Sequence, residues 1–368
     1  MKQKFDRIAK IFGLNGEISS IEQISNGIIN QTYDVKIVDG TVESRYVFQC
    51  INPYVFKNPI QIMENIEKIT AHIAKKLEAE GKSRDRVMHF AHQADGKNYY
   101  MTDDEFWRIS EYVQNSVTYN SCESLEHLRS AGKAFGELQT MLSDFDATLL
   151  FETIPNFHNT RHRINTLMQH VEEDPLGRVA EVREDIERIK FYKPHAELLN
   201  RLVDEGKLPL RVTHNDTKIN NVLFDKDSGE AKTVIDLDTV MPGLVAHDFG
   251  DAIRSAANIT SEYAENNLTA RISLERFSAF AEGFIGATAH SLTKNEIETL
   301  ALGAFTMALE LSVRFLDDYI TGDKYFTPKY EGHNLVRART QLSLAEDIHK
   351  NMPTLNGIVE EIYRKSVK

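Results

Sequence analysis

Three short apolar runs between residues 210 and 251, none long enough to make a helix, constrain this chain more than any other stretch. The first, Leu210-Arg211-Val212-Thr213, leads into His214-Asn215-Asp216 and, five residues on, Asn221. The second and third, Asn221-Val222-Leu223-Phe224 and Thr233-Val234-Ile235, bracket the turn Asp227-Ser228-Gly229, which reads as a β-hairpin. Asp236-Leu237-Asp238 follows directly. A fold built on this segment must insert a small antiparallel element among its neighbours, with polar residues at the strand and loop ends. Asp and Asn collect in turns for local reasons. Residues separated by a hairpin, however, can also converge on one point.

The spacing H-x-D-x-x-x-x-N, followed by a carboxylate at a strand end, suits phosphoryl transfer. An attacking hydroxyl needs a carboxylate to receive its proton, and a triphosphate needs oxygen ligands that hold Mg²⁺ against it. Asp216 fits the first requirement, Asn221 and Asp236 the second. The segment therefore points to a kinase that uses ATP and Mg²⁺.

The rest of the composition narrows the class. A net charge of −12 with no basic block argues against nucleic acid as a partner. Cys50 and Cys122, the two cysteines, cannot build a disulfide framework or a four-cysteine zinc site, and they suit a reducing cytosol. No window approaches 18 uncharged apolar residues, so no membrane span is expected. A cytoplasmic enzyme with a small-molecule substrate is the expectation; oligomeric state is left open.

Along the chain, the first third is strand-rich with one helix. Residues 21–24, 32–38 and 45–51 read as strands, turned by Asn26-Gly27 and Asp39-Gly40. Ile62, Ile66, Ile69 and Ile73 sit at helical spacing, and residues 106–113 form a further strand beyond the Asp95-Gly96-Lys97 turn. From residue 121 helices dominate, over 125–142, 160–170, 179–205, 248–257, 274–285, 294–316, 334–348 and 355–364, interrupted by the hairpin. This implies an α+β, two-lobed fold: residues 1–113 a small antiparallel β-sheet lobe for the nucleotide, residues 114–368 a large, mainly helical lobe for catalysis and the acceptor.

With these residues set out, the chain resembles the aminoglycoside phosphotransferase/choline kinase superfamily of the protein-kinase-like fold, and within it the N-acetylhexosamine 1-kinase group. The resembling segments are residues 26–33, 117–120, 154–160, 212–221, 235–243, 248–254, 314–316 and 333–337. The resemblance implies transfer of the ATP γ-phosphate to the anomeric hydroxyl of N-acetylglucosamine or N-acetylgalactosamine. It makes Asp216 the base, also in contact with the acceptor, and Asn221 and Asp236 the Mg²⁺ ligands. Asp238 fits a supporting place in the metal shell or a cap on the following turn. Asp248 of Asp248-Phe249-Gly250 is expected to brace the catalytic loop and is left out of the metal set. Other acceptors (an aminoglycoside, choline, homoserine) and a non-catalytic binding protein of the same shape remain as alternatives.

The nucleotide lobe departs from the kinase pattern. Gly27 stands alone where protein kinases carry G-x-G-x-x-G, although backbone amides of such a turn can still cradle phosphates. Gln49 falls where many kinases place a phosphate-anchoring Lys, so the usual Lys–Glu ion pair is absent; Glu64 and Glu67 then read as solvated or packing residues. Trp107 and Tyr112 could flank adenine or simply pack. For the sugar, Arg314, mid-helix among Leu311, Phe315 and Leu316, either pairs with Asp317 or Asp318 or reaches hydroxyls. Asn30, His158, Tyr330 and Asn334 are weaker candidates.

Overall fold

The computed structural model describes residues 1–24, 30–53, 56–120, 124–259 and 270–368. Its first lobe is a sheet built on alternation. Helix α1 (Lys2–Ile11) precedes β1 (Glu17–Ile24), β2 (Gln31–Asp39) and β3 (Val42–Ile51); α2 (Pro59–Ala79) separates these from β4 (Tyr100–Met101) and β5 (Phe106–Glu111). The strands are antiparallel in the order β1-β2-β3-β5-β4. One face carries Tyr33, Val35, Ile37, Phe48, Trp107 and Ile109, and α1 covers it with Phe5, Ile8 and Ala9. Successive side chains alternate, so the opposite face carries Thr32, Asp34, Gln49 and Arg108. That polar face looks toward the second lobe.

Helix α2 joins the lobes through one apolar stripe. Ile62, Met63, Ile66, Ile69 and Ile73 pack on Ile51 and Phe106 of the sheet and on Val212, Leu237 and Val240 of the second lobe. Asn65, buried in that stripe, donates to the carbonyls of Phe151 (2.9 Å) and Val240 (3.0 Å) and accepts the Phe151 N–H (2.9 Å). A buried amide satisfied this fully fixes the register between the lobes.

The second lobe is mainly helical. After β6 (Ser116–Val117) come α3 (Leu125–Met141), α4 (Thr160–Glu173), α5 (Arg183–Ala196) and α6 (Leu198–Asp204). Next are β7 (Arg211–Thr213), the hairpin β8 (Val222–Asp225) and β9 (Ala231–Val234), and β10 (Met241–Gly243). Then α7 (Val245–Ala256), α8 (Leu274–Thr288), α9 (Lys294–Glu298), α10 (Leu300–Thr321), α11 (His333–Lys350) and α12 (Met352–Ser366) complete the chain. The hairpin pairs Val222 with Val234 and Leu223 with Thr233, closed by Gly229 at φ 71°, as its sequence implies. Helix α10 is the lobe's axis, buried along most of its length. It meets α7 backbone to backbone: a Cβ on Gly250 would lie 2.3 Å from the Gly303 carbonyl oxygen, and one on Gly303 would lie 1.9 Å from that of Ala246.

Two expected helices are broken. The stretch 179–205 turns at Glu197 (φ −80°, ψ 0°) after Pro194, which withdraws a backbone donor from the end of α5. The stretch 294–316 divides at Thr299 (φ −98°, ψ 0°), which ends the five-residue α9; a capping box of Thr293 and Glu296 starts that short helix. Among the described residues no helix is long and apolar enough to cross a membrane.

Candidate active site

Strands β7 and β10 pair with Thr213 opposite Met241, and this ribbon launches the loop that begins at His214. Thr213 Oγ1 donates to the Asn215 side chain (3.0 Å) and the Met241 carbonyl (3.1 Å). Asn215 takes a left-handed conformation (φ 64°), and its amide donates to the Thr239 carbonyl (2.9 Å). Asp248, on the first turn of α7, accepts the consecutive N–H groups of His214 (2.9 Å) and Asn215 (2.7 Å) and the Gln139 amide (2.7 Å). It therefore braces the loop, as expected. Burial raises its carboxyl above the ordinary range against the pull of these donors.

The braced loop carries Asp216 next. Its carboxylate, 27 % exposed, lies 2.8 Å from Lys218 Nζ. Burial would raise its proton affinity, but Lys218 outweighs it, with help from His214 and Arg254, and the carboxyl falls below its usual range. Lys218 is in turn raised, by Asp216 first. The sequence reading passed over Lys218, although it stands two residues from Asp216; a lysine in a loop reads as solvated.

Asn221 and Asp236 are drawn to the same place. Asn221 Nδ2 donates to the Asp216 carbonyl (2.8 Å) and carboxylate (3.2 Å). The Ile235 N–H donates to the Asn221 carbonyl (2.9 Å), and His214 Nε2 donates to the Ile235 carbonyl (2.9 Å), which ties the strand end carrying Asp236 to the loop. Asp236 is itself left-handed (φ 62°) and exposed. Lost solvation on its protein side, then Asp238, then Asp216 raise its carboxyl to about 7. A divalent cation relieves such repulsion. Among the described residues no three His, Cys, Asp or Glu side chains form a metal cluster. An Asn221 oxygen and an Asp236 carboxylate are nevertheless the kind of sparse protein set that suits Mg²⁺ held mainly by phosphates and water.

Asp238 neither joins this pair nor caps a turn. It is 2 % exposed, ion-paired with the equally buried Arg108 of β5, and accepts Asn30 Nδ2 at 2.8 Å. Asn30, considered for the sugar, spends its own Oδ1 on the Asn52 N–H of its own lobe (3.0 Å), so one polar end anchors it there while the other reaches Asp238 in the second lobe. Arg108 Nε donates to Gln49 Oε1 (2.9 Å), and Gln49 Nε2 to Thr32 (3.3 Å). Arg108 thus stands beside Gln49, one strand over. Its sequence signal was a lone Arg inside the apolar run Phe106-Trp107-Arg108-Ile109. Glu67 bonds His92 (3.0 Å) and Asn98 (2.8 Å), consistent with a packing role.

Of the adenine candidates, Trp107 packs against Phe5 and Tyr33 on the far face of the sheet, and its Nε1 donates to Glu105. Tyr112 carries the Arg45 guanidinium 3.6 Å over its ring, and Arg45 forks onto Asp34. Gly27 lies outside the described residues.

On the helical side, Arg314 takes neither carboxylate considered for it. Asp317 receives His170 (2.6 Å), and Asp318 receives the N–H groups of Lys324, Tyr325 and Phe326. The Arg314 guanidinium instead lies over Phe157, Tyr325 and Phe326 at 5.3, 5.6 and 5.4 Å, with no ion pair among the described residues. Arg163 Nη2 reaches the carbonyl of the same Phe157 (3.2 Å), so two cations meet there. Asn334, wholly buried, is spent on Asp318, Asp323 and the Phe326 carbonyl, while the exposed Tyr330 ring lies tilted against the buried His333. His158 binds inward, to Glu310 and the loop.

A model of the phosphotransferase enzyme family matches residues 20–280. Among solved structures, an aminoglycoside phosphotransferase from Alicyclobacillus acidocaldarius superposes with a TM-score of 0.63 at 13% identity, covering 94% of this chain and 93% of that one. A choline kinase from Cryptosporidium parvum gives 0.54 at 13%, covering 93% and 91%. A spectinomycin phosphotransferase in complex with ADP and spectinomycin gives 0.53 at 12%, covering 99% and 98%. At these identities the structures speak for the fold.

Proposed function

The chain belongs to the phosphotransferase enzyme family, and from that premise we propose that it moves the terminal phosphoryl group of ATP, with Mg²⁺, to the anomeric hydroxyl of an N-acetylhexosamine. The observation that carries the transfer is Asp216: an ionised carboxylate held by Lys218 at 2.8 Å beside Asn221, on a loop braced from α7. Asp216 would accept the proton of the attacking hydroxyl and orient it. Lys218 would keep that carboxylate charged and lend positive charge to the phosphoryl in flight. Asn221 and Asp236 would hold the Mg²⁺, which supplies charge neutralisation at the phosphates. Arg108 would serve from β5 as the phosphate-facing cation that Gln49 does not provide, with Tyr112 and Gly27 as further nucleotide-binding residues. The lobe division is placed at Val113-Gln114, between β5 and β6. A cytoplasmic location fits ATP use.

The acceptor is argued from Arg314. Several structural neighbours are named for aminoglycosides and choline, acceptors that carry positive charge. A half-buried guanidinium without a carboxylate partner among the described residues, with Arg163 beside it, opposes such ligands and favours neutral hydroxyl and amide oxygens. A coupled ADP-release assay across N-acetylhexosamines, simple hexoses, choline and aminoglycosides tests this. Phosphorus–proton coupling in the product then tells a 1-phosphate, coupled to the anomeric proton, from a 6-phosphate. Good turnover of choline or an aminoglycoside with none of any N-acetylhexosamine would move the chain to another acceptor class.

A further inference from the structure

The peptide that enters Asp216, from Asn215 to Asp216, is held at both of its polar atoms. Its carbonyl oxygen accepts His158 Nε2 at 2.9 Å, and its N–H donates to His214 Nδ1 at 3.2 Å. His158 arrives from the loop before α4, and behind it stands Glu310 of α10. Glu310 Oε1 lies 2.8 Å from His158 Nδ1, and its Oε2 accepts Thr160 Oγ1 at 2.6 Å. The side chains of His158 and Glu310 are 8% and 1% exposed. We infer that His158, backed by Glu310, is a positioning residue that sets the orientation of the catalytic carboxylate from helix α10.

The chemistry of the pair supports more than passive packing. Carboxylate and carbonyl are both pure acceptors, so each imidazole nitrogen must carry a hydrogen and the ring is an imidazolium. Burial alone would discourage that charge; Glu310 outweighs it and raises the imidazole's proton affinity, while Glu310 itself falls to about 2. The result is a charged strut that cannot rotate without stranding a buried carboxylate. It ends on the residue before the base, whose left-handed backbone is held from the other side by Asp248. Arg314 lies one helical turn beyond Glu310, so the strut and the acceptor-facing arginine share one helix.

This inference rests on Asp216 being the base, and the test separates the two. His158→Gln, Thr160→Val (which removes one hydroxyl from Glu310 and keeps the shape) and Asp216→Asn are assayed singly and combined, well below each variant's unfolding midpoint. Misplacing a base by an ångström can cost about 10²-fold, so His158→Gln should lower kcat by about that factor with MgADP affinity unchanged. Thr160→Val should show the same kcat-only loss, smaller, and it decides the matter if His158→Gln does not fold. Neither change should lower the residual turnover of Asp216→Asn, because the strut acts through that carboxylate. Unchanged kcat, a loss appearing in nucleotide affinity, or the same factor lost in both backgrounds would overturn the inference. Wild-type turnover by Asp216→Asn would instead sink the base assignment.

Discussion

Replacing Arg108 with Met asks whether the buried pair between the lobes does what its position implies. The change strands Asp238, 2% exposed, with Asn30 as its one remaining donor at 2.8 Å. Removing one partner of a buried ion pair costs about 3–5 kcal/mol, and the surviving Asn30 bond puts this case near the lower end, about 3 kcal/mol. Domains are stable by about 5–15 kcal/mol, so the loss is large without being fatal. At about 2–4 °C per kcal/mol for large domains, the midpoint of thermal unfolding should fall by about 6–12 °C. Arg108→Met with Asp238→Asn removes both charges and should recover most of that. Nucleotide binding should not recover: a hydrogen bond to a charged group is worth about 1.5–3 kcal/mol, so the KM for ATP should stay about 10- to 10²-fold high in both variants. Calorimetry and ATP titrations read the two effects separately. A single variant that melts with the wild type would refute the stranded-carboxylate argument, and a double variant with wild-type KM would refute the phosphate-facing role.

Asp216→Asn should lower kcat by about 10²–10⁴-fold while MgADP still binds, read by steady-state kinetics beside calorimetry. Asn221→Ala and Asp236→Ala should each shift the Mg²⁺ activation curve to higher concentration; curves that superimpose on wild type would put the metal elsewhere. Arg314→Ala should raise the acceptor KM and leave that for ATP alone, whereas equal rises in both would mean a general loss of structure. His247, 6% exposed beside His158 and Glu310, is lowered by burial to about 3. A depressed histidine contributes stability that is present above its unfolded value of about 6.5 and lost as pH falls toward 3, by up to about 1.4 kcal/mol per pH unit. His247→Leu should therefore flatten the fall in unfolding free energy between pH 6.5 and 4, which denaturant titrations at several pH values will read.

The parts of the site legible in the sequence are those whose geometry is local. Asp216 and Asn221 lie five residues apart, Asp236 ends the hairpin that Asn221 begins, and Asp248 opens a helix close behind, so strand pairing alone brings them together. Asp238 reads locally too, but its partners Asn30 and Arg108 come from the other lobe, and a choice between metal shell and turn cap missed both. His158 and Glu310 are 152 residues apart, and nothing in the spacing of either names the other. In the fold, the strands followed from alternation and the hairpin from its turn. The breaks at Glu197 and Thr299 did not, because propensity runs unbroken across Thr299 and Pro194 lies three residues before the actual bend.

The contact of Gly250 with Gly303 has a consequence for acceptor choice. With α7 and α10 touching through bare backbone, the helix that braces the base and the helix that bears Arg314 cannot slide past each other. If Asp216 is the base and Arg314 meets the acceptor, the span between them is a fixed ruler. An acceptor would then have to match its length, since the packed helices leave no slack along that line to meet a longer or shorter one. Changes in acceptor preference within this fold would accordingly arise at the Arg314 end of the gauge, around Phe157 and Tyr325, and rarely in the helices that set it.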